Sequence, residues 1–145
     1  QYRGINHSDE LAAYYNRAKI TLNVSHYQNA DRGLPWRVYE AIACKSVLLT
    51  HISSQKPLEY LGFVNGQDFV SFATPAELQY QCSRLLKDET LRWQMADNAY
   101  AKAFPAWHLA NRLADILDQA EHPMLANSLK TLPTGIKPPA YISID

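Results

Sequence analysis

The sequence predicts an α/β fold: a parallel sheet with helices packed on its faces. Three observations predict it. Segments with a two-residue apolar period alternate along the chain with segments of helical period. Val47-Leu48-Leu49 is an unbroken apolar run, as expected for a parallel strand covered on both sides. A strand pattern ending near Val24 is followed by a polar loop and then by Gly33-Leu34-Pro35, where a helix should open.

The first helix starts at Ser8, with Asp9 and Glu10 in the first turn where the helix dipole favours carboxylates, and ends near Ala18. Ile20 to Val24 alternates apolar and polar residues and reads as a strand; Ser25 to Arg32 reads as a loop. Trp36 to Cys44 repeats apolar residues at helical spacing, and Ser46 to Thr50 forms the next strand. A short helix around Pro57 to Leu61 and a strand at Phe69 to Phe72 follow. Thr74-Pro75-Ala76-Glu77 has the capping-box pattern with Pro at the first helical position, and Leu78, Cys82, Leu85 and Leu86 mark the buried face behind it. Asp88 caps a further helix that carries Leu91, Met95 and Ala99 inward and that Pro105 stops or bends. Leu109, Leu113, Ile116 and Leu117 define a last amphipathic helix ending near Ala120. From His122 onward the reading is a mostly irregular, proline-rich tail with an added strand at Ala140 to Ile144. The expected organisation is therefore one domain over residues 1–121 and a tail over residues 122–145.

At 145 residues the chain holds one domain or a piece of one. Three strands are fewer than the five or six of a self-sufficient doubly wound domain, so an amino-terminally truncated domain is expected. Fourteen Lys plus Arg balance fourteen Asp plus Glu, which leaves no net field to draw the chain onto nucleic acid or acidic lipid. No apolar run approaches the roughly 18 residues of a membrane span, and residues 1–10 lack the pattern of a secretory signal. Cys44 and Cys82 form no close pair and read as buried, reduced thiols, in keeping with a cytoplasmic protein. The five histidines have no metal-ligand spacing, so neither metal nor cofactor is expected.

In open α/β sheets, ligands bind beyond the carboxyl ends of the strands, where a loop delivers a helix N-terminus suited to phosphate. The segment from Asn23 to Cys44 has that form. Gly33 would let the backbone approach a bound group, and Arg37 and Glu40 share one helical face. A guanidinium there can pair with a diphosphate, and a carboxylate can accept from a ribose diol. The plain alternatives are that Glu40 and Arg37 form an exposed i, i+3 ion pair worth a few tenths of a kcal/mol, and that Gly33 only punctuates a turn. His26 and His51 each follow a predicted strand, but loop histidines are mostly solvated. The aromatic residues fit core packing better than a stacking platform, with Trp36, beside the phosphate loop, as the exception.

The segments LAAYYNRAKITLNVS, RGLPWRVYEAIACKSVLLTH, PLEYLGFVNGQDFVSFATPAELQYQCSRLLKDETLRWQMADNA and AWHLANRLADIL resemble the carboxyl-terminal half of group 1 glycosyltransferases, in particular the spore-maturation-type subgroup. The resemblance spans residues 11–120 and is most specific over Arg37 to Cys44. It implies a partial Rossmann-like sheet that forms the carboxyl-terminal half of a GT-B fold and holds a nucleoside-diphosphate sugar. It further implies that Glu40 contacts the donor ribose, that Gly33 and Leu34 lie in the loop facing the donor phosphates, and that Arg37 belongs to the subgroup motif. The implied reaction is sugar transfer to an acceptor. The catalytic group is not identified, and a chain without the acceptor half is expected to be inactive alone.

Two departures from the family pattern stand out. Arg32 occupies the place, eight positions before Glu40, where relatives often carry a second glutamate. Lys45 replaces the glycine that commonly follows the Ala-Cys pair, so the usual left-handed helix exit would cost strain or take another form. Both departures lend weight to a non-catalytic interaction module derived from such an enzyme; a nucleotide-sugar epimerase of the same fold is a further alternative. The incomplete sheet also predicts self-association through an open edge.

Overall fold

The computed structural model describes residues 8–24 and 33–131. In chain order they form α1 (Ser8–Arg17), β1 (Ile20–Asn23), α2 (Trp36–Ala43), β2 (Val47–His51), a short 3-10 turn (Ile52–Ser54), α3 (Gln55–Tyr60), β3 (Val70–Phe72), α4 (Pro75–Lys87), α5 (Glu89–Trp107), α6 (Leu109–Gln119) and α7 (Pro123–Lys130). The expected α/β architecture is present. The strands form one parallel sheet in the order β1-β2-β3, with Ile20 opposite Val47 and Leu49 opposite Val70. The chain separates into two compact units, residues 1–100 and 101–145, at a point inside α5.

In the first unit the two-residue period of the strands sorts side chains between the sheet faces. Val47, Leu49, Val70 and Phe72 form one buried face with Leu85 of α4 and Met95 and Ala96 of α5, and Ile20, Leu78, Cys82 and Leu91 pack around them. Leu48 and Thr50 point to the opposite face and are also buried, which is why β2 is apolar without alternation. There α2 packs on β1 and β2 and buries Val38, Ala41 and Ile42.

Helix ends follow the capping chemistry of the sequence. Thr74 Oγ1 accepts from the Glu77 N–H at 3.2 Å, and Glu77 Oε2 accepts from the Ala73 N–H at 2.7 Å. Asp88 Oδ1 accepts from the Leu91 N–H at 2.9 Å. Behind it, the buried Arg92 sends Nη1 to the carbonyls of Leu85 and Leu86 at 2.6 and 2.9 Å, closing the free end of α4 with a cation.

Lys45 resolves one of the departures noted above. Its φ is 54°, so the left-handed exit from α2 is kept despite the Cβ. The Lys45 N–H donates to the Ile42 carbonyl at 3.1 Å and the Ser46 N–H to the Ala41 carbonyl at 2.9 Å, the paired bonds of a Schellman motif.

Three expectations are refined by the structure. Pro105 does not stop α5, which runs on to Trp107; so near the helix end a proline forfeits a single backbone bond and little helix follows it. Within the tail expected to be mostly irregular, α7 forms over Pro123–Lys130 with Pro at its first turn and Ala126 buried. Cys44 and Cys82 are half-buried rather than buried. The strand expected at Ala140 to Ile144 lies outside the described residues. In the second unit α6 and α7 pack on each other, with Ala114 and Ala126 fully buried where small side chains let helices approach.

Candidate functional site

The N-terminal end of α2 is built differently from those of α4 and α5. Its cap position is Pro35, extended at φ −69° and ψ 153°, with no side-chain cap and no acidic residue in the first turn. Val38 N–H donates back to the Pro35 carbonyl at 3.0 Å, while the amides of Trp36 and Arg37 have no intrahelical acceptor, as in any first turn. Gly33 is exposed with φ 110°, and a Cβ built there meets nothing within 4 Å. Space is therefore not what calls for glycine; the backbone angle is. Leu34, next in the chain, is half-buried. The rest of the loop, residues 25–32, lies outside the described residues, and with it His26 and Arg32.

Arg37 is exposed and, among the described residues, makes no ion pair or hydrogen bond through its side chain. The simple Glu40–Arg37 pair is not formed. Glu40 is half-buried and turned toward α1, where its Oε2 accepts from the Tyr15 hydroxyl at 3.0 Å. Burial, reinforced by the bond to Glu40 and by its charge, pushes the Tyr15 hydroxyl up to about 12. One turn further along α2, burial and then the Glu40 charge push the Cys44 thiol up, which makes it a poor nucleophile. Trp36 is 82% exposed, with its ring centroid 6.2 Å from that of Tyr39.

At the carboxyl ends of β1 and β2 lies a buried polar cluster. Asn23 Nδ2 donates to Thr50 Oγ1 at 2.8 Å and to Ser54 Oγ at 3.2 Å, locking the strand ends together. His51 stands at the right end of the sheet, but its ring has local work. Nδ1 accepts from the Ser53 N–H at 3.3 Å, capping the 3-10 turn, and the ring meets Phe72 edge-on at 5.7 Å. Among the described residues no three His, Cys, Asp or Glu side chains converge on a point that could hold a metal, and no helix is long and apolar enough to cross a membrane.

Comparison with protein-family models matches residues 1–118 to a family described as glycosyl transferase-like. The chain belongs to that family. No curated protein and no solved structure matches it. For a glycosyl transferase-like chain, the match extends over the whole first unit and into α6, so α2 and its preceding loop sit well within it.

Gly33, Leu34, Arg37 and Glu40 are thus carried on one loop-helix junction, with no ion pair between the two charged groups. Sequence reasoning missed Tyr15, the partner of Glu40, because a tyrosine within α1 carries no local mark of a partner on α2. It missed Arg92 as well, since its burial depends on the packing of α5 against the end of α4. Asn23 has a weak sequence signal, being a polar residue at the end of a strand, but its partners Thr50 and Ser54 are distant in sequence.

Proposed function

We propose that this chain is the donor-binding part of a group 1, GT-B glycosyltransferase of the spore-maturation type, and that it transfers a sugar from a nucleoside-diphosphate carrier to an acceptor when an acceptor half is present. The observation that carries this reading is the N-terminus of α2, which has no side-chain cap and no carboxylate in its first turn, an open Gly33 before it and an exposed Arg37 on it. Positive partial charge and a guanidinium at one place favour a diphosphate over any neutral ligand. Leu34 adds a half-buried apolar side chain beside Gly33, and Glu40, one turn along, offers acceptors to the ribose diol.

In the transfer step a nucleophilic atom of the acceptor bonds to the anomeric carbon and gives up its proton, while the bond between that carbon and the diphosphate oxygen breaks and the oxygen keeps the electron pair. The α2 amides and Arg37 stabilise the charge that develops on it, which is a transition-state effect rather than mere binding. The donor is a substrate, and the reading requires no resident metal and places the work in the cytoplasm. Among the described residues β1 stands at one end of the sheet order, and pairing with a second copy is proposed there; light scattering that finds only monomer at high concentration would remove that part of the proposal.

The test is calorimetric titration of the full chain with UDP, GDP and ADP and with their common sugar conjugates. The expected result is saturable binding of at least one, weakened about tenfold or more by Glu40→Ala or Arg37→Ala, as for loss of a charge-assisted hydrogen bond. Absence of binding to all of them by the native chain would refute the reading.

A further inference from the structure

A carboxylate meant to grip a diol must present its oxygens in a fixed plane, yet the last torsion of a glutamate is soft and broadly populated. In this chain the softness is removed from outside the site. Glu40 Oε2 takes the Tyr15 hydroxyl at 3.0 Å, a contact between two different helices, and Oε1 takes no hydrogen bond among the described residues. An ionised carboxylate has about four acceptor positions, so Tyr15 occupies one and leaves Oε1 and the second lone pair of Oε2 for a ligand. Tyr15 also holds the carboxylate toward α1, and no ion pair joins Glu40 to Arg37. The guanidinium is left for a different group.

We infer that Tyr15 is a positioning residue that sets the Glu40 carboxylate to accept both hydroxyls of a ribose diol, and so makes the site discriminate ribonucleotides from 2′-deoxyribonucleotides. This inference rests on the donor-binding reading above. The upward displacement of the Tyr15 hydroxyl agrees with it, since the phenol remains a donor throughout the neutral range. A neutral donor is what an ionised acceptor requires. A positively charged partner in its place would compete with the diol for the carboxylate more strongly.

The experiment measures one ratio, the affinity for a ribonucleoside diphosphate over that for its 2′-deoxy counterpart, for UDP, GDP and ADP against the full chain. Inorganic diphosphate is titrated alongside to report the phosphate subsite alone. The native chain should favour the ribo form about tenfold, the size of one charge-assisted hydrogen bond. Glu40→Gln should bring the ratio close to one. Tyr15→Phe should lower it to about two- or threefold while leaving inorganic diphosphate binding unchanged, and Tyr15→Met removes the same hydroxyl should Y15F fold poorly. Tyr80→Phe, at an exposed tyrosine of α4, should change nothing. A ratio kept by both Y15F and Y15M but lost in E40Q overturns the inference and leaves the donor-binding reading intact. Parallel loss of inorganic diphosphate affinity in the Tyr15 variants also overturns it, because the role is then structural. A native chain that binds no diphosphate, or an E40Q variant with the native ratio, removes the reading and the inference together.

Discussion

Lys45 Nζ lies 2.7 Å from Asp97 Oδ1 and 4.8 Å from the centre of the Tyr100 ring, so the residue in the left-handed exit of α2 is fastened to α5 by its own side chain. A non-glycine residue in that backbone region costs roughly 1–2 kcal/mol. A partly exposed ion pair returns about 0–1 kcal/mol and a surface cation–π contact about 0.5–1 kcal/mol. The two sides are close to balanced, which is how a position suited to glycine tolerates lysine.

That balance is testable by denaturation. Lys45→Ala keeps the strained angle and loses both contacts, and should destabilise the chain by about 1–2 kcal/mol. Lys45→Gly relieves the angle while losing the same contacts, and should lie within about 0.5 kcal/mol of the native chain. Equal losses in the two variants would show that the backbone angle contributes nothing.

The contribution of the Tyr15–Glu40 bond should be readable from its loss at alkaline pH. The folded-state pKa of Tyr15, about 12, is above its ordinary value of 10. The stability it contributes is therefore complete below about pH 10 and disappears as the pH rises toward 12. Urea melts of native and Tyr15→Phe chains should differ by a constant amount from pH 7 to 9.5 and converge between pH 10 and 12. A difference independent of pH would mean that Tyr15 titrates as it does in the unfolded chain.

Arg92 is 7% exposed and bonds two carbonyls at the end of α4. Arg92→Ala leaves both carbonyls to compete for water and removes a charge-assisted pair of bonds, so a loss of about 2–4 kcal/mol is expected in a chemical melt. Arg84→Ala, one turn back on the same helix end, should cost well under 1 kcal/mol, because its side chain bonds, among the described residues, only Gln81 on its own helix.

Trp36 should report occupancy of the α2 N-terminus. Exposed as it is, a nucleotide bound there would shield or stack on its indole. Titration with the tightest-binding nucleoside diphosphate should change the tryptophan emission of the native chain and leave that of Trp36→Phe unchanged. Equal changes in both would locate the ligand near Trp93 or Trp107 instead.

The elements legible in the sequence were those whose signals are local. The Thr74 capping box, the Asp88 cap, the apolar run of β2 and the helical spacing of α2 all depend on neighbours within a few residues, and each is where the pattern put it. Proline content alone is a poor guide at Pro105 and Pro123, because position decides: a proline near a helix end or at its first turn is compatible with helix.

By itself the sequence determined the parallel α/β pattern and the loop-helix unit carrying Gly33, Leu34, Arg37 and Glu40, because periodicity and capping are written in adjacent residues. Only the tertiary structure decided that Glu40 turns to Tyr15 rather than to Arg37, that Arg92 is buried against the end of α4, and that Lys45 anchors on α5. Those outcomes depend on which helices lie side by side once the sheet has formed. Hydrogen bonds across such distances in the chain leave no periodic trace in it.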